Sequence, residues 1–312
     1  MTMRKEILYH GATIKKAYFE GWYYKITTNT ISLAIILGVT KNTEDDHAFI
    51  QTLDTLSQKE QYIRYSISEM TIEDTPFHIQ LGDNHFYEDK IIMHVDKDIK
   101  IDVEVTMEDM TPLNSSRYAP TIMGPFAYLP NMQCIHSICS LYHKVNGIIN
   151  INKQNITTKG AIGYIEKDRG TSFPKKYLWI QSNHSTIYNK ACFFLSVATI
   201  PYSIFHFTGV IAILLINNKQ HRFTTYYGAR VESLEYTEKG HYHITIKQRE
   251  YKVVVKVNPG NPIQLLAPKK GIMVTEIMES LDARIAVNLY KEDQLIEVFY
   301  FRQSGCEIRG YN

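Results

Sequence analysis

The sequence lacks most of the patterns that announce a ligand by themselves. It has no glycine-rich phosphate loop, no dinucleotide fingerprint, no nucleophile-elbow serine and no two-histidine zinc-protease motif. No cofactor is therefore expected. Charge of one sign is missing too: 34 basic against 32 acidic residues leave a formal charge of +2, so no global field draws the chain to nucleic acid. The basic pairs Lys15-Lys16, Lys175-Lys176 and Lys269-Lys270 stand apart from one another and read as solvated surface. Four cysteines in 312 residues are too few for a disulfide framework. Met1 to His10 carries charges but no apolar core, so no secretory signal is expected, and reduced thiols in a cytoplasmic protein follow.

What is present is a globular balance, 44% hydrophobic and 21% charged, enough to bury a large core. Strand signals run through the whole length. Tyr62 to Ile67, Phe77 to Leu81, Ile91 to Val95 and Ile99 to Val105 are short β-rich runs separated by turn-forming residues, the spacing of a meander. His241 to Ile246 with Tyr251 to Val257, and Ala283 to Tyr290 with Leu295 to Phe301, read as hairpins, the second pair around Lys291-Glu292-Asp293-Gln294. No helical periodicity is comparably persistent, so an all-β barrel or sandwich is expected and a doubly wound sheet is not. A boundary near Asn146-Gly147 divides the chain into modules of residues 1–146 and 147–312.

Ala191 to Ile216 holds no Asp, Glu, Lys or Arg and is long enough to span a bilayer. Pro201 and several polar residues argue instead for two buried strands, Phe193 to Ile200 and Gly209 to Ile216, joined across the proline. No transmembrane segment is expected, which still leaves room for transient membrane contact. Oligomeric state is not legible in the sequence.

Cys134, His136, Cys139 and His143 have metal-ligand chemistry. On a strand the first two face one way and the last two the other, so the four cannot converge and no metal site is expected. Two other segments mix aromatic and charged residues: Tyr18-Phe19-Glu20-Gly21-Trp22-Tyr23-Tyr24, and Gly163 to Asn183. They hold both tryptophans of the chain. In the second, alternation puts Tyr177, Trp179 and Gln181 on one strand face and Leu178 and Ile180 on the other, while Glu166 and Asp168 share a face upstream.

At these positions the chain resembles the family of tocopherol cyclase and its bacterial relatives. The resemblance rests on the Tyr-Phe-Glu-Gly-Trp-Tyr opening, Gly124-Pro125-Phe126 leading to Met132-Gln133-Cys134-Ile135-His136, the Gly170-to-Pro174 turn and Trp179-Ile180-Gln181. It continues in Thr225-Tyr226, Pro268 with Gly271 and Met273, Glu279-Ser280 and Gly305-Cys306-Glu307. It implies two packed lipocalin-like antiparallel β-barrels, with relatives among carotenoid hydratases. Plant and cyanobacterial members close a prenylated hydroquinone into a chromanol. One departure is that Arg169 stands where the family has a tryptophan.

Such a cyclisation protonates a trisubstituted alkene and lets a phenolic oxygen capture the tertiary cation. It needs a carboxyl that keeps its proton, a dry pocket and aromatic walls. Asp168 and Glu166 are the expected acids, with Glu20, Glu279 and Glu307 behind them. Glu20, Trp22, His136, Tyr177, Trp179, Gln181 and Asn183 are the expected substrate contacts. Each has a structural alternative: Asp168 pairing with Arg169 or capping the Gly170 turn, the aromatics packing in a core, His136 satisfied internally, Gln181 and Asn183 finishing a turn. The ligand expected is an apolar small molecule, a prenyl-quinol or isoprenoid. A carrier that sequesters such a lipid unchanged and a hydratase that replaces the phenol by water are the competing readings.

Overall fold

The computed structural model describes residues 6–15, 17–130, 132–202 and 205–311. The described residues are overwhelmingly strand, with single-turn 3₁₀ segments at Ile67–Glu69, Gly124–Tyr128 and Thr225–Tyr227. Among them, no helix is long and apolar enough to cross a membrane.

The first twelve strands are β1 Tyr18–Thr27, β2 Ser32–Lys41, β3 His47–Asp54, β4 Lys59–Tyr65, β5 Met70–Asp74, β6 Phe77–Leu81, β7 Asn84–Tyr87, β8 Lys90–Asp96, β9 Lys100–Thr111, β10 Cys134–Ile151, β11 Gln154–Thr157 and β12 Ala161–Gly170. They form one antiparallel sheet in the order β4-β3-β2-β1-β12-β10-β9-β8-β7-β6-β5, with β11 beside β10. Of the four runs expected to form a meander, Phe77 to Leu81, Ile91 to Val95 and Ile99 to Val105 lie in its β6 to β9 arm, while Tyr62 to Ile67 covers β4 at the opposite edge. The β4 edge reaches the turn between β8 and β9, where Gln61 Nε2 donates to the carbonyl of Ile99 at 2.8 Å.

The remaining strands are β13 Tyr177–Ser182, β14 Ala191–Tyr202, β15 Phe205–Ile216, β16 Lys219–Thr224, β17 Arg230–Tyr236, β18 Tyr242–Gln248, β19 Tyr251–Asn258, β20 Ile263–Lys269, β21 Ile272–Lys291 and β22 Gln294–Arg309. Their order is β16-β15-β14-β13-β22-β21-β19-β18-β17, with β20 beside β21. The architecture is all-β, two antiparallel sheets each wrapped on its own core, consistent with a lipocalin-like double barrel.

Compact units do not follow the chain in two consecutive blocks. One unit comprises Met1–Ser115, Gln133–Phe173 and Leu266–Glu276, the other Ser116–Met132, Pro174–Leu265 and Ile277–Asn312. Asn146 and Gly147, where the sequence suggests a module boundary, lie inside β10. Gly147 is there for another reason: its φ is +142°, and a Cβ would stand 2.1 Å from the Glu104 carbonyl oxygen on β9.

Turn chemistry explains much of the register. The pairs Asn152-Lys153, Asn217-Asn218 and Glu292-Asp293 all have positive φ at both residues and join β10 to β11, β15 to β16 and β21 to β22. Two consecutive left-handed residues make the hairpin turn whose twist matches the flanking strands. The apolar segment Ala191 to Ile216 is the hairpin β14–β15, but Pro201 is not its turn. Pro201 lies within β14 opposite His206, and the connecting residues 203–204 fall outside those described.

The core of the first unit collects Trp22, Tyr24 and Ile26 from β1, Leu33, Ile35 and Leu37 from β2, and Ala161 and Ile165 from β12. One face of each strand thus turns inward. Ile7, ahead of β1, is buried in this same cluster, and Trp22 Nε1 donates to its carbonyl at 2.7 Å. The second unit's core takes Leu178 and Ile180 from β13, Phe193, Leu195 and Val197 from β14, and Phe301 and Cys306 from β22.

Candidate functional site

The register of β12 decides which polar residues meet. Asp168 pairs with Gly21 on β1 and with His136 on β10, and Glu166 pairs with Tyr23 and Ile138. Both carboxylates lie on the face opposite the unit's core, because Ile165 and Lys167 occupy the inward positions between and beside them. Directly opposite residues in an antiparallel pair are close neighbours, so His136 reaches both carboxylates.

His136 Nδ1 stands 2.9 Å from Asp168 Oδ1 and Nε2 stands 3.5 Å from Glu166 Oε2. Asp168 Oδ1 also accepts the Cys134 thiol at 3.2 Å, and Glu166 Oε2 accepts the Tyr164 hydroxyl at 2.7 Å. Glu166 and His136 are buried, and Asp168 is partly so. Burial first, and then the Asp168 charge and hydrogen bond, push the Cys134 thiol well above its usual range, so Cys134 remains a protonated donor. The alternative pairing of Asp168 with the neighbouring Arg169 is not the arrangement found.

The ligand atoms of His136, Glu166 and Asp168 lie within 4.8 Å of one another, the one such group among the described residues. One imidazole with two carboxylates can hold a divalent cation. Here each ring nitrogen already faces a carboxylate. That geometry suits proton transfer along Glu166–His136–Asp168. Cys139 and His143 take no part: Cys139 belongs to the core, and His143 Nδ1 stands 3.0 Å from Ser140 Oγ.

Two expected contact residues sit elsewhere. Glu20 and Trp22 occupy inward positions of β1, on the other side of the sheet from Asp168. Glu20 is wholly buried, 2.6 Å from Lys167 Nζ, and accepts Tyr18 OH at 2.6 Å and the His10 backbone N–H at 3.0 Å. Burial acts to raise this carboxyl, but the His10 hydrogen bond and Lys167 outweigh it and hold Glu20 at about 2. Burial also pulls the Lys167 ammonium down, opposed by Glu20. Glu20 therefore fastens the N-terminal segment, and Trp22 packs in the core with Lys167 Nζ 5.3 Å over its ring.

In the second unit, β13 presents Tyr177, Trp179 and Gln181 opposite the core face carrying Leu178 and Ile180, as alternation predicts. Tyr177 OH donates to Glu307 Oε2 at 2.7 Å, and Trp179 pairs with Glu307 in register. Gln181 pairs with Gly305 and lies 3.9 Å from the Cys192 sulfur. Asn183 is buried just beyond the end of β13. Glu279, on β21, is wholly buried and pairs with Glu307.

Sequence reasoning missed Tyr164 and Lys25, and it considered Cys134 only as a metal ligand and a motif residue. Tyr164 and Glu166 are two apart on one strand, so alternation alone places the phenol beside the carboxylate. Lys25 lies opposite Tyr164 on β1 and is 1% exposed. Its position two residues past Tyr23 gives the face, but no sequence signal gives the burial.

Solved structures share this architecture. A putative AttH from Nitrosomonas europaea superposes with a TM-score of 0.55 at 13% identity, covering 97% of this chain and 95% of its own. CghA, also solved with Sch210972, gives 0.59 at 8% identity over 94% and 88%. Kievitone hydratase from Nectria haematococca gives 0.50 at 10% identity over 98% and 94%. At these identities the likeness establishes the fold. No curated protein matches the sequence. Residues 113–310, more than half of the chain and including His136, Glu166, Asp168 and Trp179, match the model of one family. The chain belongs to the tocopherol cyclase-like family.

Proposed function

We propose that this protein is an acid-catalysed cyclase acting on a prenylated hydroquinone or related isoprenoid, with Glu166, His136 and Asp168 as the proton-transfer group. The observation that carries the reading is the position of His136, between two carboxylates on a sheet face turned away from its own core. Family membership supports chemistry of the cyclase or hydratase kind. The names of kievitone hydratase and of CghA with Sch210972 support a small-molecule ligand.

With Nδ1–H given to Asp168, the second ring nitrogen faces Glu166, and Tyr164 orients that carboxyl. A proton held between Glu166 and His136 adds to the less substituted alkene carbon, leaving a tertiary cation. The phenolic oxygen bonds to that cation, and its proton returns to Glu166 or His136. Atoms and electrons balance as an isomerisation. Holding the oxygen beside the forming cation removes on the order of 7–11 kcal/mol of barrier. Tyr177 and Trp179, with Gln181 and Asn183, are proposed as ligand-binding residues of the second unit. Glu20 and Trp22 are not among them.

The test is to incubate the purified protein with a prenylated hydroquinone and separate the products by mass. A product of unchanged mass and altered retention is the cyclised isomer. A gain of one water identifies a hydratase, and unchanged ligand recovered bound identifies a carrier. Glu166→Gln and Asp168→Asn keep the fold, and at least one abolishes turnover, because an amide cannot supply the proton. Full turnover in both variants sinks the assignment of the acid.

A further inference from the structure

The near-zero net charge conceals a local imbalance on the outer surface of the second sheet. An open depression of about 590 Å³ is lined by Thr186, His241, His243, Lys256, Arg284 and Arg302, with Tyr300 and Asn258 beside them. No carboxylate lines it.

Strand register explains how the depression forms. His243 pairs with Lys256, Lys256 with Ala286, and Ala286 with Tyr300, a row crossing β18, β19, β21 and β22. These residues point outward, since Ile244, Val255, Val257, Ile285, Val287 and Phe299 around them fill the core. Ala286 is the small residue in the middle, so the row dips there between longer side chains. Arg284 and Arg302 flank it on the neighbouring row, and Thr186 borders it, its backbone N–H donating to the Tyr300 carbonyl at 3.0 Å.

Adjacent strands are about 4.8 Å apart, so these cations are held close together, and like charges in such positions repel. Elsewhere on this sheet the same problem is solved internally: Lys252 Nζ lies 2.6 Å from Asp293 and Lys247 3.8 Å from Glu232. The carboxylates nearest to the row do not enter the depression. Glu235 is paired with His243 across the β17–β18 ladder but does not line the depression, and Asp282 is engaged by Asn261 through two hydrogen bonds. Lys256, Arg284 and Arg302 are exposed. Two guanidinium groups with a lysine, an imidazole pair and a tyrosine hydroxyl form a donor set suited to the oxygens of a phosphate group.

We propose that this depression binds a phosphate-bearing anion through Arg284, Arg302, Lys256 and His243. The inference stands apart from the acid site and holds whether the protein is a cyclase, a hydratase or a carrier. A phosphate group reaches it either on a soluble diphosphate or phosphate ester, or as the headgroup of an anionic lipid at a membrane surface.

The full-length protein is titrated with inorganic pyrophosphate by calorimetry, and separately sedimented with vesicles of phosphatidylglycerol or of phosphatidylcholine alone. The expected result is binding in at least one anionic arm, weakened about tenfold or more in Arg284→Ala/Arg302→Ala, as loss of charge-assisted hydrogen bonds implies. Binding should also weaken as salt rises. Pyrophosphate binding assigns a soluble ligand. Sedimentation with phosphatidylglycerol alone assigns a lipid headgroup. The unchanged unfolding midpoint of the double variant establishes that it folds, and Lys256→Glu provides a second, independent charge change on another strand. Failure of both anionic probes, binding to phosphatidylcholine equal to that to phosphatidylglycerol, or binding indifferent to these substitutions overturns the proposal.

Discussion

Lys167 Nζ stands 2.6 Å from Glu20 Oε1 inside the first unit, while the residues on either side of Lys167, Glu166 and Asp168, point to the opposite face. One short stretch of β12 thus serves two purposes. The inward lysine holds Glu20 and the N-terminal segment, its Nζ also donating to the Leu8 carbonyl. The outward carboxylates hold His136.

Removing one member of that buried pair leaves the other charge without compensation. Lys167→Met should therefore lower the unfolding free energy by about 3–5 kcal/mol, measured by urea denaturation at neutral pH. The replacement of both partners, Glu20→Gln with Lys167→Met, should recover part of the loss. A single variant as stable as the parent would show that the pair contributes nothing to the fold.

The pair also sets an acid limit. Glu20 titrates at about 2 when folded and near 4.3 when unfolded. Between those values the unfolded chain binds more protons, so this contribution is intact above about pH 4.3 and disappears as pH falls toward 2. Glu20→Gln should flatten the fall of the urea midpoint in that window.

His143 acts in a higher window. Burial alone depresses its imidazole to about 3, against about 6.5 in an unfolded chain, so the folded protein disfavours the protonated ring. Its contribution is complete above about pH 6.5 and is lost progressively as pH falls toward 3. Gly163 lies against the ring: a Cβ there would come within 2.0 Å of His143 Nε2. Gly163→Ala should cost about 1–3 kcal/mol through overpacking. His143→Asn should relieve that cost, read as a positive coupling in a double-mutant cycle of unfolding free energies.

Much of this arrangement was legible in the sequence. Alternation placed Glu166 with Asp168, and Tyr177 and Trp179 opposite Leu178, because the strand period is two whatever the fold. No such pattern separates the faces around Glu20 and Trp22. All but one residue of β1 is buried, so polarity does not mark which face is inward. His136 is separated by more than thirty positions from Asp168, and only the β10–β12 register brings them opposite each other. Glu307 is further still from Tyr177, and the basic depression needs four strands in register, which no local pattern encodes. Asn146-Gly147 suggests a boundary in the sequence although it lies inside β10, because a strand glycine and a turn glycine look alike there.

Trp179 and Gly305 make the last prediction, because the ring occupies the space that a side chain at residue 305 would take. A Cβ on Gly305 would stand 2.7 Å from Trp179 Cζ3 and 2.8 Å from Cη2, with Glu279 Oε1 at 3.6 Å. Neither the φ of Gly305 nor its strand position demands glycine, so the constraint is the indole itself. Gly305→Ala should displace the ring with a modest loss of stability, about 1–3 kcal/mol. The chain has two tryptophans, so a Trp22→Phe background isolates Trp179. In that background Gly305→Ala should shift the emission of Trp179, and the affinity for an isoprenoid ligand should fall toward that of Trp179→Ala. Unchanged affinity in both variants would mean that the indole only packs, and would remove it from the ligand contacts proposed above.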